Sequence, residues 1–228
     1  MRFALQNGLR IEATPGALGR CPGCGAELIA KCGTKKVWHW AHKGQRHCDH
    51  WWENETQWHR EWKDQFPVEW QEIAARDKDG ELHIADVRTP KGLVVEFQHS
   101  YLKSDEARKR TEFHKPMLWV VDGTRRKTDR KQFDRAASGY RRPSEVGRVN
   151  RIRIDDCRLL EEWVHLGAIV AFDFGGDTIW LARRIGGWWV SGHEYPKLKL
   201  VEHIIEGTPI PIPVALQNRR PRGKRSRF

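Results

Sequence analysis

The stretch His83 to Gln98, HIADVRTPKGLVVEFQ, constrains this chain more than any other. It reads as a β-hairpin. Leu82, Ile84 and Val87 sit among polar residues, Thr89-Pro90-Lys91-Gly92 supplies turn chemistry, and Leu93 to Phe97 is a short valine-rich run. Asp86 and Glu96 fall inside this apolar hairpin, with Gln98 two residues further on. Strand side chains alternate, so Glu96 and Gln98 share one face while Leu93, Val95 and Phe97 point into a core. An ionised carboxylate beside a packed sheet is costly unless something pairs with it. Two carboxylates from adjacent strands offer oxygen ligands to a hard cation such as Mg²⁺, given an even register such as Asp86 opposite Val94, or a bulge. On the open face of an antiparallel sheet the same residues would simply be solvated.

At 228 residues the chain can bury a real core. No apolar run is long enough to span a bilayer and Met1-Arg2-Phe3 opens no signal peptide, so a cytoplasmic protein with no membrane partner is expected. Five cysteines, two of them in Cys21-Pro22-Gly23-Cys24, argue against a disulfide framework and for a metal knot in a reducing compartment. The net charge of +11 is unevenly placed. Thr124 to Arg153 holds eleven Lys/Arg against three Asp/Glu, and Gln217 to Phe228 holds six with no acid, which leaves the remainder slightly acidic. Basic segments of this kind suit a polyanion, with nucleic acid the leading candidate; a solubilising loop and a disordered tail are the alternative.

Taken in order, Asn7-Gly8 between Phe3, Leu5, Leu9 and Ile11 predicts a tight hairpin. Cys21-x₂-Cys24, followed by His39-x₂-His42, offers two thiolates and two imidazoles to one tetrahedral Zn²⁺, with Cys32, His47, Cys48 and His50 as nearby substitutes. Residues 51 to 66 are predicted helical, with Trp51, Trp58, Trp62 and Phe66 as the packing stripe and Pro67 as the stop. Glu55 falls inside that stripe, with His59 and Lys63 along its flank. Its partner is either the metal site of the sheet or, in water, His59 or Lys63. A strand over 68–76, the central hairpin, a helix opened by Ser104 as N-cap and running to about Lys115, and a buried strand at Met117 to Val121 follow. The order is helix, three strands, helix, strand. The basic segment 124–153 reads as a mobile loop anchored by Phe133, Tyr140 and Val146. Beyond it come a helix at Cys157 to Leu166 and strands at 168–174, 178–183 and 188–191. There is no Walker loop, Rossmann fingerprint or Ser-His-Asp pattern, and His193-Glu194 is too little to define a site.

Motif by motif, residues 1 to 123 resemble the CoiA-like competence-protein nuclease family, part of the PD-(D/E)XK nuclease superfamily. Cys21-x₂-Cys24 with His39-Trp40-Ala41-His42 resembles the family's zinc-ribbon-like element, and Glu55-Thr56-Gln57-Trp58-His59 with Trp62-Lys63 resembles its first helix. Ala85-Asp86-Val87 and Glu96-Phe97-Gln98-His99-Ser100 resemble its catalytic strands; Arg110-Thr111-Glu112-Phe113 with Trp119 resembles the following helix and strand.

The resemblance implies an α/β (α+β) fold with a restriction-endonuclease-like α-β-β-β-α-β core and a zinc-binding element before it; the strands read beyond residue 153, outside the resemblance, would extend the sheet or form a small β-rich extension. The division expected is 1–50 for the hairpin and zinc element, 51–123 for the nuclease core, 124–153 for a basic connection, 154–216 for the extension and 217–228 for a basic tail. It also implies that Asp86 and Glu96 bind Mg²⁺ or Mn²⁺ with Glu55 in support, in a DNA endonuclease of uptake, recombination or defence. A non-cutting recombination accessory on the same scaffold is the alternative, and recombination or defence proteins and a second copy of the chain are candidate partners. Where most of the superfamily has a Lys two after the Glu, this chain has Gln98, which hydrogen-bonds water without adding charge. Lys63 or His59 would make up that difference. Arg125, Arg126, Lys127, Arg130, Lys131, Arg141 and Arg142 are the expected phosphate contacts.

Overall fold

The computed structural model describes residues 1–44, 48–51, 55–144 and 147–212. Five short strands form an N-terminal antiparallel sheet in the order β2-β1-β3-β4-β5: β1 Phe3–Gln6, β2 Leu9–Glu12, β3 Leu18–Arg20, β4 Glu27–Lys31 and β5 His39–His42. Asn7 and Gly8 both take positive φ between β1 and β2, the geometry of a two-residue primed turn. Leu28 and Trp40 bury into a core that also takes Cys21, Cys48 and, from the next sheet, Leu82. The two units therefore share apolar packing.

After α1 (Gln57–Lys63) come β6 (Gln71–Arg76), β7 (Leu82–Arg88), β8 (Val94–Gln98), α2 (Ser104–Phe113) and β9 (Met117–Asp122). This is the expected alternation of helix, three strands, helix and strand. Strands β6, β7 and β8 are antiparallel neighbours; β9 lies parallel to β8. Val87, Val95 and Phe97 pack under Trp62 and Phe66 of the α1 region, as the strand alternation required.

Boundaries moved for identifiable reasons. The first helix begins at Gln57, because Thr56 caps it and the His59 side chain returns to the Thr56 backbone. Trp51 consequently leaves the stripe and stacks on His83. Residues 52–54 of the expected helix lie outside the described part. Val68–Trp70 is a 3₁₀ turn rather than the start of a strand, and Ser104 is the first helical residue of α2 after Lys103 at the N-cap.

The basic segment is not a mobile loop. It folds into α3 (Asp129–Ala137) and a hairpin of β10 (Tyr140–Ser144) and β11 (Gly147–Arg153). Phe133 secures α3 against Phe174 and Trp180, ring centroids 4.5 and 4.9 Å away. Next come α4 (Arg158–Trp163), β12 (Ile169–Asp173), β13 (Thr178–Gly186), β14 (Trp189–Pro196) and α5 (Lys197–Glu206). These strands extend the sheet to nine, in the order β10-β11-β14-β13-β12-β9-β8-β7-β6, with β12 parallel to β9. The fold is mixed α/β with two sheets. Among the described residues no helix is long and apolar enough to cross a membrane.

Candidate functional site

Two chemistries meet at the junction of the sheets. The first is a set of metal donors: Cys21, Cys24, His42 and Cys48 place one ligand atom each within 4.8 Å of all the others. His42 Nε2 lies 3.4 Å from Cys24 Sγ and 3.3 Å from Cys48 Sγ, and the Cys21 and Cys48 sulfurs are 3.7 Å apart. His39 is not in the set, which corrects the ligand expected from His-x₂-His. Those two histidines lie on β5, where a spacing of three puts them on opposite faces. His39 Nδ1 meets the Val37 carbonyl at 2.9 Å instead, and Cys48 takes the fourth position. Cys32 and His50 stay outside the set; His47 lies outside the described residues. Contact with Cys48 pulls the Cys21 thiol down to about 5, while the same proximity raises Cys48. Three sulfurs and one imidazole in such a cluster suit zinc.

The second chemistry is carboxylate. The register of β6 with β7 pairs Gln71 with Val87 and Ile73 with Ala85, and that of β7 with β8 pairs Val87 with Val95. Glu72, Asp86 and Glu96 therefore stand at one level of three adjacent strands. The hairpin register is even, shifted by two residues from Asp86 opposite Val94. At this level the carboxylates take over from the ladder: the Asp86 amide donates to Glu96 Oε1 at 3.1 Å, and the Phe97 amide donates to Asp86 Oδ2 at 3.0 Å. Glu72 adopts φ +49°, a strained backbone for a residue with a side chain. Its two oxygens accept the Arg2 and Phe3 amides at 2.7 and 3.0 Å.

Lys63, 2% exposed, reaches this row from α1, with Nζ 2.9 Å from Glu72 and 2.5 Å from Glu55. Glu55 also accepts Arg60 at 2.7 Å. Each of the two environments expected for Glu55 thus contains part of the arrangement: it pairs with Lys63, but in a buried pocket beside the sheet carboxylates. Burial opposes the charge on Lys63, yet Glu72, Glu55 and Asp86 hold its pKa above the lysine range. Burial likewise opposes ionisation of Glu72, and Lys63 overcomes it, leaving Glu72 at about 2. Asp86 and Glu96 are shifted the other way. Enclosure raises both, and mutual repulsion lifts Glu96 further, while Lys63 and His59 restrain Asp86 and Arg110 restrains Glu96.

Asp86, Glu96, Gln98, Lys63, His59 and Glu55 all line one cavity of about 80 Å³, together with Glu72, Asp49, Trp51 and Arg110. Gln98 Nε2 donates to the Ser100 carbonyl and hydroxyl, both at 3.2 Å, which orients its amide. Asp49, Trp51, Glu72 and Arg110 were not singled out as site residues from the sequence. Asp49 follows a cysteine ligand and Arg110 lies in a recognised motif, whereas nothing local marks Glu72.

The expected phosphate contacts are spread over one region. Arg125 and Arg126 pair with Glu162, and Arg126 also grips the buried Asp129. Arg130 pairs with Asp134 at 2.9 Å and lies 5.0 Å over the Phe174 ring. Arg130, Lys127 and Lys131 are exposed. Arg141 and Arg142 lie on β10, their side chains outside the described part.

A Cys₃His knot packed on a mixed sheet, with a buried row of acids where the two meet, defines a two-site α/β protein. Residues 20–50 match the family model described as Competence protein CoiA, N-terminal domain. Over this stretch the chain is similar to that family, and the matched residues contain all four members of the knot. No curated protein and no solved structure matches it.

Proposed function

We propose that the chain is a divalent-metal-dependent DNA endonuclease of PD-(D/E)XK type. The observation that carries this reading is the convergence of Asp86, Glu96, Gln98 and Lys63 in one buried cavity, on consecutive strands and the preceding helix. The arrangement fits a hard cation, because two enclosed carboxylates repel each other and a bound ion would relieve both. Asp86 and Glu96 would hold Mg²⁺ or Mn²⁺, which lowers the pKa of bound water and neutralises charge developing on the phosphate. The chain's own groups do the rest. Gln98 orients water by hydrogen bonding, and the Lys63 ammonium supplies the positive charge that Gln98 lacks. Glu55 and Glu72 fix Lys63 so that it need not reorganise during reaction. The exposed Lys127, Arg130 and Lys131 would hold backbone phosphates.

One observation favours a second reading, a DNA-binding recombination accessory that does not cut. Among the described residues the only set of three or more His, Cys, Asp or Glu ligand atoms within 4.8 Å of one another is the cysteine knot, so Asp86 and Glu96 act as a pair. Incubating purified protein with supercoiled, linear and single-stranded DNA in Mg²⁺, Mn²⁺ or EDTA separates the two. Metal-dependent cleavage that falls by roughly 10²-fold or more in both Asp86→Ala and Glu96→Ala supports the nuclease. Binding without cleavage, retained in Asp86→Ala, establishes the accessory.

A further inference from the structure

A second cavity, of about 660 Å³, opens beside the carboxylate pocket. The two share α1 as a partition: His59 faces the first and its neighbour Trp58 lines the second. Trp58 is half-buried, and its ring is held. Its Nε1 donates to Asp173 Oδ2 at 3.1 Å, an oxygen that also accepts Trp62 Nε1 at 2.8 Å. The other oxygen of Asp173 takes Lys197 at 2.6 Å and the Gly175 amide at 2.8 Å. Asp173 and Asp122 stand at the carboxyl ends of parallel strands β12 and β9, and His99, adjacent to Gln98, lies 2.6 Å from Asp122 and 6.0 Å from the Trp58 ring. Two further exposed aromatic residues are linked to the carboxylate pocket through the chain or through Arg60. Tyr101, three residues after Gln98, is 62% exposed; Trp38, whose carbonyl accepts Arg60 beside Glu55, is 46% exposed.

We infer that the substrate strand is single-stranded DNA, and that the base beside the scissile phosphate leaves the stack to lie on Trp58 in this cavity. This rests on the reading of the carboxylate pocket as a phosphodiester site. The volume is of the size that takes small-molecule ligands, and an indole fixed by a hydrogen bond is a stacking platform that loses little freedom on binding. The polar lining selects the base over its phosphate. Glu61, Asp122, Asp173 and Asp177 face the cavity against the lining cation Lys197, so an anion is repelled; with Asp122 and Asp173 held by their own donors, the amino and imino groups of a base can donate to the carboxylates of Glu61 and Asp177. Tyr101 and Trp38 offer the same sequence-tolerant stacking to neighbouring bases, which a paired duplex cannot present.

Fluorescence anisotropy in EDTA tests this without cleavage, using a labelled single strand, its blunt duplex, and the same strand with one abasic site. The single strand should bind about tenfold or more tighter than the duplex, and Trp58→Ala and Tyr101→Ala should each weaken it by about 5- to 100-fold. The abasic strand should bind wild type less well than the intact strand, and Trp58→Ala should show a smaller difference between the two. Duplex binding equal to or tighter than single-strand binding, or an abasic strand bound by wild type like the intact one, overturns the inference. Should Trp58→Ala fail to fold, the exposed Tyr101→Ala and the abasic strand on wild type still decide. The two readings fail separately: base-dependent binding without metal-dependent cleavage removes the hydrolase alone, and cleavage without base dependence removes the base pocket alone.

Discussion

Asp49 Oδ1 lies 3.1 Å from His83 Nδ1, and the other oxygen of Asp49 accepts the Ile84 amide at 3.1 Å. Burial opposes its charge, but these donors and the Trp51 amide hold Asp49 below the usual carboxylate range. Since Asp49 directly follows Cys48, a knot donor and a wall of the carboxylate pocket are consecutive residues.

Asp49→Ala strips partners from His83 and from the Ile84 amide. A loss of about 1–3 kcal/mol is expected, which is about 2–4 °C of melting temperature per kcal/mol for a chain of this size. Zinc content should be unchanged, because Asp49 is not a donor. Thermal melts read beside metal analysis check this, and loss of zinc with an unchanged melt would contradict it.

The donor set makes a sharper prediction. Cys48→Ser should lose bound zinc under mild chelation, whereas His39→Ala should retain it at wild-type stoichiometry. Metal analysis after dialysis is sufficient, and the reverse pattern would restore His39 as a ligand.

Removing the buried ammonium leaves two acids facing each other. Lys63→Met should cost about 3–5 kcal/mol, and adding Glu72→Gln should return part of it. The sign with pH follows from Glu72, whose folded pKa of about 2 is below its ordinary 4.5. A depressed carboxylate stabilises the fold above its ordinary value, and that contribution is lost as pH falls from about 4.5 towards 2. Urea melts across this window should show a shallower decline in Lys63→Met; an unchanged decline would mean that the pair is not coupled.

The sheet carboxylates should behave in the opposite sense. Asp86 and Glu96 are raised in the fold, so metal-free protein loses stability as pH rises through the ordinary carboxylate range and they are forced to ionise. Asp86→Asn and Glu96→Gln should therefore melt higher than wild type at neutral pH in EDTA. Mn²⁺ should raise the melting temperature of wild type and leave both variants unmoved. Variants that melt lower in EDTA would refute this account of the pocket.

Much of this was legible locally. Period-two alternation placed Val95 and Phe97 in the core and Glu96 with Gln98 on the other face, and Asn7-Gly8 marked its turn. The Cys-x₂-Cys pair was visible, but the rest of the knot depended on knowing that His39 and His42 lie on a strand. Glu72 was invisible because its role comes from a left-handed backbone and from two amides some seventy residues away. The density of charge in 124–153 hid α3, whose few apolar residues suffice because Phe133 finds an aromatic pocket from later strands. Simple spacing puts Lys63 on the helix flank, whereas its burial depends on Glu55 and Glu72 closing around it.

The central place of β9 has a consequence for how the chain can be divided. Every motif that resembles a nuclease ends by Asp122, yet β9 is paired on its far side with β12 over Ile169 to Asp173. A fragment stopped after the motifs would present the backbone of Met117–Asp122 as an open, largely apolar margin. Such a margin invites another copy to add to it, so a chain truncated at the recognisable motifs should self-associate more strongly than the full chain.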